Sequence, residues 1–301
     1  MIERPGAGVL GAGSMVGGAL VPLLVRDGRH VYAFSRKTLE RKTEAGVTWL
    51  QLDASSSIQP ATPRIGDWLC VAPVWVLPQY FAMLERYGAR RVVALSSTSR
   101  FTKTDSPDPA ENAVASRLAE GEARLRTWAE GKGVEWVILR PTLIYGRGRD
   151  RNIAEIARFV GRFGFFPVLG KATGLRQPIH AEDVAAACAA ALNAPAAANR
   201  AYNISGGETL PYREMVRRVF AAMRRRPRLV TIPLGVFRMA VACLRVFPRY
   251  RHWSAAMAGR MNRDLVFDHA DAARDLGFSP RPFRLASEDV CLLYTSDAAD
   301  E

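Results

Sequence analysis

Apolar positions along this chain fall into short, nearly continuous runs, separated by stretches in which they recur every three or four residues. The first run closes at Val9 and Leu10 and gives way, across Gly11-Ala12-Gly13-Ser14, to a helical pattern at Val16, Ala19, Leu20, Leu23 and Leu24. Further runs at His30–Phe34, Val47–Leu52, Asp67–Ala72, Arg91–Leu95 and Val134–Leu139 predict five more strands. Helices are predicted at Val76–Tyr87, at Ala110–Lys132 with Gly133 as its stop, and over the Ala-rich segment 181–193. Strands this apolar, alternating with helices, predict an α/β protein whose parallel sheet is doubly wound, covered by helices on both faces. Ligands of such sheets bind outside the carboxyl ends of the strands, where Gly11, Arg36, Asp53, Ala72, Pro73, Ser97 and Pro141 all fall.

The turn Gly11-Ala12-Gly13-Ser14-Met15-Val16-Gly17 carries the most specific chemistry. Small residues between a strand and a helix let the backbone bend tightly and approach a pyrophosphate, which the helix's unbonded N–H groups and positive dipole end then hold. The spacing Gly-x-Gly-x-x-x-Gly is looser than the strict Rossmann fingerprint, and an ordinary tight βα connection uses similar residues. The second strand-like run ends in Ser35-Arg36-Lys37, where an Asp or Glu would accept the adenosine ribose hydroxyls. Arg and Ser there complement a 2′-phosphate instead, which favours NADP over NAD; the alternative is a solvated loop of an Arg-rich protein. Asp53, at the end of the third run, is a softer candidate for the adenine edge.

Composition changes this picture little. The chain of 301 residues is 49% hydrophobic, enough for one large α/β domain or a large and a small one, and it has no disorder signature. Its formal charge of +13 could indicate nucleic acid, but 42 basic residues include only five Lys and are scattered. Only Arg224-Arg225-Arg226-Pro227-Arg228 is compact, and it lacks interleaved aromatics or a base-reading helix, so it reads as a solvated helix end and no nucleic-acid partner is expected. Cys70, Cys188 and Cys243 lie in apolar contexts without pairing or metal spacing, which fits a reducing cytoplasm and no metal site. No signal peptide is visible. Leu229–Phe247 is rich in Leu, Val, Phe and Met but is interrupted by Pro233, Arg238 and Arg245, so it does not span a bilayer. It reads as a helix covering a pocket or, with Arg249 and Arg251, as an element lying on an anionic membrane surface. Residues 291–301 read like the in-frame translation of a sequencing adapter, which predicts that the natural coding sequence is interrupted near Val290 and removes this segment from fold reasoning.

Five segments in a fixed order carry a family resemblance. The glycine turn is followed by Ser96-Ser97-Thr98-Ser99-Arg100-Phe101, then by Leu139-Arg140-Pro141-Thr142-Leu143-Ile144-Tyr145-Gly146. Arg176-Gln177-Pro178-Ile179-His180-Ala181-Glu182-Asp183-Val184-Ala185 and Tyr202-Asn203-Ile204-Ser205-Gly206-Gly207 complete the order. Over residues 7 to 285 the chain resembles the extended short-chain dehydrogenase/reductases, the NAD-dependent epimerase/dehydratase family. The resemblance implies a Rossmann-type core at 1–146 and a smaller C-terminal α/β substrate region at 147–290, with about 177–205 returning to the core. It implies a nicotinamide cofactor held by Gly11, Gly13, Ser14, Met15, Val16, Gly17, Ser35, Arg36, Asp53, Ala72, Pro73 and Pro141, and a small-molecule substrate, often a nucleotide-linked sugar. Ser97 matches the family's catalytic Ser or Thr, which hydrogen-bonds the substrate's oxygen while hydride moves. Arg176 matches an arginine that grips a substrate diphosphate, with Thr142 beside it. His180 and Asp183 read as structural groups at a helix start.

One departure matters more than these matches. The family's chemistry uses a Tyr-x-x-x-Lys pair one helical turn apart, and no tyrosine of this chain is followed four residues later by lysine. Aligning Glu122 with the family's glutamate puts Val114 and Leu118 at the two positions, and aliphatic side chains relay no proton. The sequence leaves three options open: an acid from elsewhere, with Lys103 and Tyr145 as weak candidates; hydride transfer with Ser97 and water alone; or an NADP-binding sensor or scaffold without turnover. Oligomeric state is not legible.

Overall fold

The computed structural model describes residues 4–36, 45–52, 64–104, 106, 108–150, 152–237, 239 and 255–290. Asp53, Cys243 and the adapter-like segment 291–301 lie outside the described residues.

Strands β1 (Arg4–Leu10), β2 (Arg29–Ser35), β3 (Val47–Gln51), β4 (Asp67–Cys70), β5 (Arg91–Leu95) and β6 (Glu135–Pro141) all run parallel in one sheet. After the short strands β7 (Ile144–Tyr145), β8 (Phe166–Leu169), β9 (Leu175–Arg176) and β10 (Ile179–His180), β11 (Arg200–Ile204) returns to pair with β6. The sheet order is β11-β6-β5-β4-β1-β2-β3. This is a Rossmann-type doubly wound sheet, reversing direction of growth between β1 and β4.

Alternation along each strand explains the two helical layers. Val93 and Leu95 of β5 enter one core with Leu20 and Leu24 of α1 (Met15–Arg26). Val92 and Ala94, pointing the other way, enter a second core above α2 (Phe81–Tyr87). On this second side, α3 (Ser99–Thr102) leads into the long α4 (Pro109–Lys132), capped by Asp108 and closed by Gly133 at φ +63°. A third core draws on Tyr145, on Ile153, Ile156 and Val160 of α5 (Ile153–Phe163), and on residues as late as Phe283 and Val290. The first core also receives α6 (Ala181–Asn193), whose Val184, Ala185 and Cys188 pack there.

The remaining elements build the C-terminal layer: β12 (Leu210–Pro211), α7 (Tyr212–Ala222), β13 (Leu229–Ile232), α8 (Ala255–Asn262), α9 (Ala270–Leu276) and α10 (Ser287–Val290). Two local expectations change. Residues 74–80 form a 3₁₀ helix rather than the start of an α-helix, and Pro78 lies inside it, where it supplies no N–H for an α-helical bond. The apolar run from Leu229 begins as a strand paired in parallel with β8, not as a helix. Its continuation at 240–254 lies outside the described residues. Among the described residues no helix is long and apolar enough to cross a membrane.

Candidate functional site

The glycine turn is built by three different constraints. Gly11 sits at φ +85°, and a Cβ there would lie 2.8 Å from the Ala72 amide nitrogen, so only glycine lets β1 turn against the end of β4. A Cβ on Gly17 would collide with the carbonyl oxygens of Gly11 and Ala12, which fixes how closely α1 can follow the turn. Gly13 is different: a Cβ there would meet nothing within 4 Å. Its missing side chain serves no packing need of the described residues and leaves open space above the turn. Ser14 caps α1, its hydroxyl accepting the Gly17 N–H at 3.0 Å, and the first turn of the helix carries no acid. A positive helix end facing an open glycine cradle fits a dinucleotide's pyrophosphate. Ala72 and Pro73 follow β4 beside Gly11, Met15 and Val16 open α1, and Arg36 stands exposed just past Ser35 at the end of β2.

Ser97 lies half-buried beyond the end of β5, in a loop stapled to the end of β6. The Ser96 amide donates to Leu139 O at 2.8 Å, and the Thr98 amide and hydroxyl donate to Pro141 O at 3.1 and 3.2 Å. The Ser97 hydroxyl oxygen accepts the Ser99 N–H at 3.1 Å, an arrangement that leaves its proton to be donated outward. Thr142, just past Pro141, is tied down at both ends: its amide donates to Ile204 O and its hydroxyl to Gln177 O.

Neighbouring Ser96 points the opposite way. Its hydroxyl donates to Glu122 Oε1 at 2.6 Å, and Glu122, fully buried on α4, also accepts from Arg140, Arg126 and Arg100. Burial raises the Glu122 pKa, but hydrogen bonds from Arg140 and Ser96 and the Arg140 and Arg100 charges outweigh it, holding the carboxyl below the usual range. Leu118, one turn earlier on α4, is buried in the second core, and Val114 packs against the same core.

Two expected residues, Arg176 and Tyr145, are enclosed by the protein. Arg176 is buried, and its guanidinium donates to the carbonyls of Leu175, Arg263 and Arg260 while lying over the Tyr212 ring. Desolvation lowers its pKa, and its donors are committed to backbone, against the expectation that it grips a diphosphate. Tyr145 is fully buried, its phenol donating to Arg284 O; burial, followed by the Asp289 charge, pushes it to about 12. A phenol so enclosed is poorly placed to exchange protons with a substrate. Lys103 Nζ stands 3.9 Å from Glu111 Oε1.

His180 caps α6 through Nδ1, which accepts the Glu182 N–H, and its Nε2 stands 3.5 Å from Asp289 Oδ1. Asp183 holds Arg281. Both are positioned as fold-stabilising groups at the helix start. Sequence reasoning missed Arg147 and Arg149, which reach from the loop after β7 to Gly18 O in α1 and to Gly13 O in the glycine turn. Among the described residues no group of His, Cys, Asp and Glu is arranged to hold a metal ion.

Residues 79–205, which include the Ser97 loop, β6 and α6, match the NAD dependent epimerase/dehydratase family. Over that segment the chain is similar to this family. A curated relative, uncharacterized protein y4nG of Sinorhizobium fredii (strain NBRC 101917 / NGR234), is 30% identical over 205 residues, 64% of this chain; the match spans only 50% of that relative's length. The 2-alkyl-3-oxoalkanoate reductase of Stenotrophomonas maltophilia (strain K279a) is 24% identical over 91% of this chain and 94% of its own. Among solved structures, MoeE5 in complex with UDP-glucose and NAD superposes with a TM-score of 0.69 at 21% identity, covering 92% of this chain and 94% of that one. At that identity the superposition shows a shared fold.

Proposed function

We propose that this protein is a nicotinamide-dependent oxidoreductase acting on a carbonyl or hydroxyl group of a small molecule, with NADP as its preferred coenzyme. The open cradle at Gly13, facing the acid-free first turn of α1, is the observation that carries this reading. Residues up to 146 would hold the coenzyme and the later ones, apart from α6 and β11, the substrate. When bound, the nicotinamide supplies or accepts the hydride. Gly13, Met15 and Val16 would offer backbone N–H groups to the pyrophosphate, Gly11 and Gly17 would let it approach closely, and Ser14, whose hydroxyl accepts the Gly17 N–H, starts the helix whose dipole faces it. Arg36 and Ser35 meet a 2′-phosphate, Asp53 the adenine, and Ala72, Pro73 and Pro141 line the path between turn and reacting centre.

Ser97 donates its outward proton to the substrate oxygen and so polarises the carbonyl, a role that needs no change in its own protonation state. Thr142 borders the same pocket. With Arg176 bonded to three carbonyls, the reading favours a carbonyl or hydroxyl substrate without a diphosphate over a sugar nucleotide. The protein named 2-alkyl-3-oxoalkanoate reductase, aligned over nearly the whole chain, supports that direction.

A second reading, a coenzyme-binding sensor or scaffold without turnover, is favoured by Leu118 and Val114 on α4, where apolar packing takes the place of a proton relay. One experiment separates the two. NADPH and NADH are titrated calorimetrically, then 3-oxoalkanoates and sugar nucleotides are screened for loss of reduced-coenzyme absorbance. Oxidation of NADPH by a 3-oxoalkanoate is the expected result; tight NADPH binding with no oxidation across the screen establishes the sensor, and no binding of either coenzyme overturns both.

A further inference from the structure

Two guanidinium groups reach across the fold, Arg149 to the glycine turn and Arg147 to the first turn of α1. Arg147 and Arg149 lie on the loop after β7, separated in sequence from their contacts by 129 and 136 residues. Arg147 Nη1 donates to Gly18 O at 3.3 Å, and Arg149 Nη2 donates to Gly13 O at 3.4 Å. Both contacts are long for charged donors, which usually settle at about 2.7–2.9 Å from an anionic oxygen. Both side chains are exposed.

Positive charge gathers at this end of α1. The amino end of α1 is the positive end of a helix dipole, with no acid in its first turn, and two cations are brought to it. The nearest acid paired with either guanidinium is Glu182, with Oε1 4.0 Å from Arg147 Nη2, on α6 rather than at the turn. Among the described residues no acid forms an ion pair with Arg149, and a Cβ at Gly13 would meet nothing within 4 Å.

The loop is also held in place. Arg147 has φ +54°, a left-handed conformation that costs a non-glycine residue on the order of 1–2 kcal/mol. Asp289 Oδ1 accepts its backbone N–H at 3.0 Å, and Asp289 is itself 3% exposed, with Oδ2 accepting the Ala286 N–H and Oδ1 facing His180 Nε2. A buried carboxylate on α10 thus fixes the backbone from which the Arg147 side chain projects towards α1.

We propose that Arg147 and Arg149 form a clamp that closes over the pyrophosphate of the bound dinucleotide, exchanging their long carbonyl contacts for phosphate oxygens, with Asp289 as the residue that positions Arg147. The inference rests on the coenzyme reading above. It assigns the clamp to the pyrophosphate, common to NADPH and NADH, and leaves discrimination between the two to Arg36.

The test is calorimetric titration of the full chain and of Arg147→Gly, Arg149→Met and the double variant with NADPH and with NADH, at low and moderate salt. Arg147→Gly suits the left-handed backbone and removes the whole side chain, so melting temperatures are measured beside the affinities and a loss of affinity at an unchanged melting temperature is the expected result. Each single variant is expected to bind both coenzymes about tenfold more weakly, and the double variant about a hundredfold, with a shallower salt dependence than the unmodified chain. Asp289→Asn is expected to weaken binding like Arg147→Gly and to add nothing when combined with it. Unchanged affinity in the double variant, or a loss confined to NADPH, overturns the clamp while the coenzyme reading stands. Failure of the unmodified chain to bind either coenzyme overturns the coenzyme reading itself.

Discussion

Arg140 holds both carboxylate oxygens of Glu122, with Nε 3.0 Å from Oε1 and Nη2 2.7 Å from Oε2. The pair ties α4 to the last turn of β6, directly behind the loop that presents Ser97. Ser96 adds a third strut from β5 to the same carboxylate. The placement of the loop that carries Ser97 therefore depends on one buried acid.

Replacing Glu122 by Gln keeps the shape but leaves Arg140 and Arg100 without their counter-charge. Removing one partner of a buried ion pair costs about 3–5 kcal/mol, so a large fall in melting temperature is expected, measured by circular dichroism. A change within the error of the unmodified chain would show that the three arginines find other partners.

The same carboxylate predicts acid sensitivity. Its folded pKa lies below the ordinary value of 4.5, so its stabilising contribution is present above that value and is lost as the pH falls through the lower, folded value. Denaturant midpoints should drop as the pH is lowered from about 5 towards 3, and the Glu122→Gln variant should lose less over that window. Equal slopes for the two proteins would remove Glu122 as the titrating group.

Ser97→Ala tests the reacting centre without disturbing the coenzyme. The loop keeps its bonds from Ser96 and Thr98, so folding and NADPH affinity are expected to hold while turnover falls by about 10²–10³. Turnover equal to that of the unmodified chain would take Ser97 out of the chemistry.

If Arg36 meets the 2′-phosphate as proposed, Arg36→Ala is expected to weaken NADPH binding about tenfold and to leave NADH unchanged. Comparing the two dissociation constants is sufficient. Equal losses for both would place Arg36 elsewhere along the dinucleotide.

Much of this architecture is written locally in the chain. The β5 run at 91–95 and the α6 segment at 181–193 appear where their periodicity places them, because each strand faces two cores and α6 presents its Ala-rich side to one. The glycine turn is legible for the same reason: Gly11 and Gly17 answer to contacts with Ala72 and with the turn's own carbonyls. The Leu229–Phe247 run reads as a helix, but its first residues Leu229–Ile232 form a strand, because a stretch this short suits either period and only pairing with β8 decides it. Arg147 and Arg149 had no signature in an Arg-rich chain. Their meaning comes from a fold that brings residues well over a hundred positions apart into contact. The same holds for Arg176, whose family position suggested a ligand while tertiary packing surrounds it with carbonyls.

The most direct test of the account is the calorimetric titration of NADPH into the unmodified chain and into Gly13→Ala. A methyl group at Gly13 meets nothing within 4 Å in the folded protein, so the variant should melt like its parent. It would, however, occupy the space assigned to the pyrophosphate. Saturable binding by the parent and a loss of at least about tenfold in the variant is the predicted outcome. Equal affinities in the two proteins would contradict the claim that a coenzyme lies in this cradle.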